Sequence, residues 1–299
     1  MRFRILLILA LVLGMVGLLR AAPAAAVQYG QPDGYGHPYV GLVVFYDEVK
    51  VPLWRCTGAL VSPTVLLTAG HCTGFDPELG FAPAYAQVWF DPGPIERDPA
   101  WDPGESCEGS FTGYPCAGGY WGTPYAHPEW TGYLIIPNTH DIGVVRFEEP
   151  LPADATQGQY GHIAPEGYLD RLATRRGLQD VQFTVVGYGL QLVRPWLLAE
   201  RTRYVGTVSL VNLRSALTDG YNLHYSNSPG KGVGPGGTCF GDSGGPVLHR
   251  TEDGTEVIVG VNSFVLNANC KGAAFAYRTD ISDSLEFLLE FLEGFGIAP

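Results

Sequence analysis

The sequence predicts an all-β protein made of two clusters of short strands, and three observations carry that reading. Charged residues are few, 16% of 299, while Gly (40) and Pro (23) are abundant, a balance that favours turns over long surface helices. Short apolar, β-branched or aromatic runs bounded by Gly, Pro and Asp occur at residues 39–46, 59–67 and 84–90. The same texture returns at 141–147, 181–187, 203–213, 245–249 and 256–261, which gives the second cluster.

The remaining elements follow in chain order. Met1-Arg2-Phe3-Arg4 is basic, residues 5–19 are almost wholly apolar, and Ala21 to Ala26 are small apart from Pro23, the three-part pattern of a secretory signal over 1–26. A membrane anchor is the alternative, but the apolar run is shorter than the roughly 20 residues that a spanning helix needs. Residues 27–299 then form one unit of two subdomains. Within it, residues 91–138 are rich in Pro, Gly, Trp and Tyr and enclose Cys107 and Cys116, so they read as a long loop closed by its own disulfide. Residues 281–295 place apolar groups at helical spacing between Asp283 and Gly294 and predict a closing helix.

Composition excludes several functions. The formal charge is −12, and the signal holds Arg2, Arg4 and Arg20 with no acid, so its removal leaves a still more acidic chain. Nucleic acid and anionic lipid are therefore not expected partners, and a monomer in solution outside the cell is the expectation. Six cysteines in an exported chain predict three disulfides, among 15 possible pairings. No His-Glu-x-x-His or Cys-x-x-Cys segment predicts a metal, and no cofactor is expected. His37, His127, His140, His162, His224 and His249 read as loop or surface residues; His140, beside Asp141, is expected to face away from it.

Chemistry concentrates in three segments. In Gly241-Asp242-Ser243-Gly244-Gly245-Pro246 a serine flanked by glycines can sit on a tight turn with its hydroxyl exposed and backbone N–H groups converging beside it. A serine hydroxyl needs a base, and the base needs a group that orients it and stabilises its cation. Leu67-Thr68-Ala69-Gly70-His71-Cys72 supplies a histidine after a strand, and Thr139-His140-Asp141-Ile142-Gly143-Val144-Val145 supplies an aspartate before another.

These strings resemble, in order, the three signature segments of the trypsin and chymotrypsin family, over nearly all of the chain except 91–138. The resemblance implies two six-stranded antiparallel β-barrels with a C-terminal helix. It implies a secreted serine endopeptidase with His71, Asp141 and Ser243 as catalytic triad and the N–H groups of Gly241 and Ser243 as oxyanion hole. It pairs Cys56 with Cys72 and Cys239 with Cys270, leaving Cys107 with Cys116. It makes Val27 the terminus freed by cleavage after Ala26, its ammonium paired with Asp242. It places the substrate pocket at Gly237, Thr238, Ser263, Phe264 and Val265. A neutral base and Val265 at the entrance imply a small or medium apolar residue before the cut bond, while an inward Phe275 would close the pocket. The alternative is a catalytically silent homologue that binds proteins; an α/β-hydrolase esterase would need the chain order Ser, Asp, His, which is absent.

Overall fold

The computed structural model of the protein describes residues 27–96, 114–115, 118–172, 180–195, 197–227 and 236–292. After a two-residue strand, β1 (Gln31–Pro32), six strands form the first barrel: β2 (Val40–Tyr46), β3 (Pro52–Ser62), β4 (Val65–Thr68), β5 (Tyr85–Trp89), β6 (Gly119–Ala126) and β7 (Gly143–Arg146). They close in the order β2-β3-β4-β7-β6-β5. A short strand β8 (His162–Ile163) leads to the second barrel, made of β9 (Gln182–Gly187), β10 (Tyr204–Asn212), β11 (Asn222–Ser226), β12 (Pro246–Arg250), β13 (Glu256–Val265) and β14 (Ala273–Arg278). Its order is β10-β11-β14-β13-β12-β9, closed by pairing of β9 with β10, with β1 on β10 and β8 on β13. The fold is the two-barrel architecture that the sequence motifs imply.

Several strands depart from the sequence reading. The run 59–67 is the end of one strand and most of the next, turned at Pro63-Thr64, a break only two residues long between two buried strands. Residues 119–126, expected within a loop, are β6, without which the first barrel would not close. Gly and Pro disguise it: a Cβ on Gly122 would lie 2.6 Å from Val145 Cγ1 and 2.9 Å from Arg146 O, so the neighbouring strand demands glycine there. The loop proper ends earlier than 138, and the expected Cys107–Cys116 bridge lies outside the described residues, as does the signal. β11 and β14 were unforeseen, β11 because Asn222, His224 and Ser226 alternate with Leu223 and Tyr225.

The C-terminal helix α2 (Ser282–Leu289) buries Leu285, Phe287 and Leu288 in the core cluster of the first barrel, a shorter helix than the periodicity suggested. The barrels are also joined by Arg203, at 0% exposure. Its guanidinium donates to Asp33 Oδ2 (2.9 Å), Val40 O, Phe90 O, Tyr188 Oη and Gly34 O, the full set of partners that a buried cation requires.

His37, expected at the surface, is buried between two carboxylates, with Nδ1 2.6 Å from Asp33 Oδ1 and Nε2 3.0 Å from Glu256 Oε2. Burial opposes its charge, yet bonds to Asp33 and Glu256 prevail and hold its pKa at about 9. A raised pKa stabilises fully below the unfolded value near 6.5, and that stabilisation is lost as pH rises through 9. Urea unfolding at pH 6 and pH 10 should therefore differ by an amount that shrinks, by roughly 2–3 kcal/mol, in His37→Gln. An undiminished difference would contradict the assignment.

Candidate active site

His71 sits on the single helical turn α1 (Gly70–Thr73), which follows β4 at once. Trp54 Nε1 donates to Cys72 O at 3.0 Å, and a disulfide joins Cys72 to Cys56 on β3, with Cα atoms 6.5 Å apart. The turn is thus fastened twice to β3 through Cys72, the residue after His71. Asp141 lies two residues before β7 and is 0% exposed. Its Oδ1 accepts from His71 N at 2.7 Å, its Oδ2 is 2.9 Å from His71 Nδ1, and Ser263 on β13 donates to the same Oδ2. Burial alone would raise the Asp141 carboxyl, but the charge and hydrogen bonds of His71, with the Ser263 bond, hold it below the usual carboxylate range. Burial likewise opposes the imidazolium, and the Asp141 charge more than offsets it, so the His71 pKa is raised.

Ser243 occupies a loop whose backbone twists through positive φ at Gly241 (94°) and Gly244 (80°), conformations that L side chains disfavour. The loop is strung on β3: Thr57 N donates to Ser243 O at 2.8 Å and Thr57 Oγ1 to Gly241 O at 2.8 Å. The N–H groups of Gly241 and Ser243 donate to no acceptor among the described residues, whereas Asp242 N and Gly245 N close the turn. Ser243 and His71 line one cleft of about 470 Å³. No hydrogen bond joins Ser243 Oγ to the imidazole in this conformation; such contacts commonly tighten only with substrate. The chemistry available is acyl transfer: a hydroxyl and a base oriented by a buried carboxylate line one cleft, and two N–H groups of the serine loop have no acceptor among the described residues.

Asp242 is also 0% exposed. Gly189 N donates to its Oδ1 at 2.8 Å and Cys239 N to its Oδ2 at 2.9 Å, and it has no salt-bridge partner among the described residues. Burial pushes its carboxyl up to about 7, against those two N–H groups and the charge of Arg55. Val27, at 0% exposure, packs in the core cluster of the second barrel, its Cγ1 over Gly206. In this uncleaved chain its nitrogen belongs to a peptide bond.

Of the expected pocket residues, Thr238, Ser263, Phe264 and Val265 line the cleft. Gly237 does not: it is buried against Asn227, which brackets the wall by accepting from Thr238 N and donating to Thr238 O and Cys270 O. Cys239 and Cys270 are bonded, 5.2 Å apart at Cα. Phe275 does line the cleft, but the cleft keeps a volume of about 470 Å³ and is not closed by it. Paired with Phe264, it stacks between that ring (4.5 Å) and His224 (4.7 Å), while its neighbours Ala274 and Ala276 face the barrel core. Sequence reasoning missed Asn262 and Tyr225, neither of which belongs to a motif. His127, expected at the surface, is buried and stacks on His140 at 4.9 Å, and both turn to Asp283, away from Asp141. Ligand atoms of His127, His140 and Asp283 lie within 4.8 Å of one another, but Asp283 Oδ2 is already bonded to His140 and Tyr277.

Two barrels with a serine loop, a histidine turn and a buried aspartate at their junction define the class of two-barrel serine proteases. A family model described as Trypsin matches residues 125–287, more than half of the 299, and takes in Asp141 and Ser243. The chain belongs to the trypsin family, a family of serine proteases. No curated protein matches it.

A side chain at position 244 would overlap Thr68 Oγ1 and Thr57 O in a backbone conformation that already suits glycine. Gly244→Ala should cost about 3 kcal/mol or more in urea unfolding. A loss under about 1 kcal/mol would mean that the loop is not locked against the first barrel.

Proposed function

We propose that the protein is a secreted serine endopeptidase in which Ser243 attacks the scissile carbonyl. His71 takes the hydroxyl proton and returns it to the leaving amine, and Asp141 orients the imidazole and stabilises its cation. The N–H groups of Gly241 and Ser243 hold the oxyanion. The observation that carries this reading is the fully buried Asp141, bonded to His71 N, to His71 Nδ1 and to Ser263, with His71 and Ser263 lining the same cleft as Ser243. A silent homologue is not favoured, since the cleft is open and all three groups are present.

Residues 1–26 act as the signal and 27–299 as the protease unit, working as a monomer outside the cell on protein or peptide substrates. No step calls for a metal or cofactor. Signal removal after Ala26 frees the Val27 ammonium, which pairs with Asp242, a buried carboxylate that otherwise lacks a cation. Buried charges of opposite sign hold each other only when both are present. The pocket accepts a small or medium residue without charge, the sequence reading being an apolar one, because Val265 narrows it and Thr238 gives it a neutral wall; the section below replaces the apolar preference with an amide one.

A fluorophosphonate should label Ser243 in the processed protein and leave Ser243→Ala unlabelled, with peptide cleavage following the same pattern. An unlabelled, folded, processed parent would overturn the reading. Since His71 acts as a base only when neutral, kcat/KM should rise with pH through a midpoint above 6.5. Asp141→Asn should lower kcat by about 10⁴; a rate that falls across this interval would contradict His71 as base. N-terminal sequencing of active protein should begin at Val27, and Asp242→Asn should leave the processed chain with at most about a hundredth of the activity, the scale of losing one oxyanion donor.

A further inference from the structure

We infer that the pocket beside Ser243 selects a side chain ending in a primary carboxamide, so that the enzyme cuts after glutamine or asparagine. The inference rests on the serine-endopeptidase reading and adds a specificity-determining residue, Asn262. Its backbone is bonded to the serine loop: Gly244 N donates to Asn262 O at 2.8 Å and Asn262 N to Gly245 O at 2.9 Å. The side chain is therefore placed next to the reacting serine. Asn262 is 3% exposed and lines the cleft, yet its Nδ2 has no hydrogen-bond partner among the described residues. Buried amide donors left unpaired are costly, and in native proteins an unpaired one calls for an explanation.

The rest of the amide is fully specified. Tyr225 Oη, completely buried, donates to Asn262 Oδ1 at 2.9 Å and lies 2.7 Å from Thr238 Oγ1, another residue of the cleft wall. A tyrosine hydroxyl has one proton. With that proton given to Asn262, Thr238 must donate to Tyr225, which leaves Thr238 Oγ1 only lone pairs to offer. The wall then offers one donor, Asn262 Nδ2, and one acceptor, Thr238 Oγ1. Exchanging the amide O and N of Asn262 reverses both roles and leaves the same count. The cleft of about 470 Å³ in which these two groups lie is otherwise walled by Phe264, Val265 and Phe275, apolar surfaces that suit the methylenes leading to an amide.

A primary carboxamide carries one acceptor and one donor group and satisfies both. A carboxylate has no proton for the acceptor and meets no Lys or Arg among the described residues of the cleft; an ammonium finds one neutral acceptor at Thr238 and nothing to take up the Asn262 donor; an aliphatic chain leaves both wall groups unpaired. Sites built to hydrogen-bond a substrate reject analogues that lack the group far more strongly than apolar pockets reject a missing methylene.

The test uses processed protein and matched peptides with Gln, Asn, Glu, Asp, Met, Leu or Lys before the cut bond. The better of Gln and Asn should exceed its apolar and acidic isosteres by at least about 10-fold in kcat/KM. Asn262→Leu should abolish that preference and shift it toward Met and Leu, while fluorophosphonate labelling of Ser243 reports that the site is assembled. Thr238→Val should weaken the same preference, and with the parent profile it carries the test if Asn262→Leu does not fold. Labelling with cleavage after Met or Leu as fast as after both amides would overturn the inference and leave the endopeptidase reading intact. Absence of labelling in the folded parent would overturn both.

Discussion

Asp141 keeps none of its surface in water, and a carboxylate in that position is tolerated only when its oxygens are bonded to groups that favour its charge. The three donors come from distant parts of the chain: His71 N and Nδ1 from the turn after β4, and Ser263 Oγ from β13 of the other barrel. The junction of the barrels is therefore also the place where the charge is satisfied. Removing either partner would leave a buried ion, which typically costs several kcal/mol. The same contact sets the imidazole's orientation and raises its pKa, so packing and acid–base chemistry are one constraint.

The serine loop obeys a second form of that constraint. It belongs to the second barrel but hangs on Thr57 of the first, whose N–H and hydroxyl both bind loop carbonyls. Tyr188 N in turn donates to Thr57 Oγ1 at 3.1 Å, so a single threonine ties β3, the serine loop and the end of β9 together. Within the loop, Asp242 is buried against Gly189, where any side chain would collide with its carboxylate. That close fit explains why glycine recurs on both sides of the contact.

What could be read from the sequence was what repeats or what belongs to a motif. The fold class, most strands and the segments around His71, Asp141 and Ser243 were legible because strand texture and short signatures are local. β6 was hidden because the barrel's own crowding forces Gly122 onto a strand that consequently resembles a loop. The hairpin at Pro63-Thr64 was passed over because its turn is only two residues long between two apolar strands. Ser263 was read as pocket lining and also proves to be a partner of Asp141, since a cross-barrel bond leaves no trace in spacing. Asn262 and Tyr225 were invisible for the same reason: β13 and β11 are joined only through the sheet order, and the strand β11 itself lacks a long apolar run.

The serine protease family and the two-barrel fold fix where chemistry takes place; the reaction proposed for it passes through an acyl group on Ser243. Mixing processed protein with excess p-nitrophenyl acetate at low pH and reading intact and peptide masses within seconds tests that step directly. A gain of one acetyl group on the peptide that contains Ser243, absent in His71→Ala, is the predicted result. Acetylation elsewhere, or none on a folded and processed chain, would contradict it.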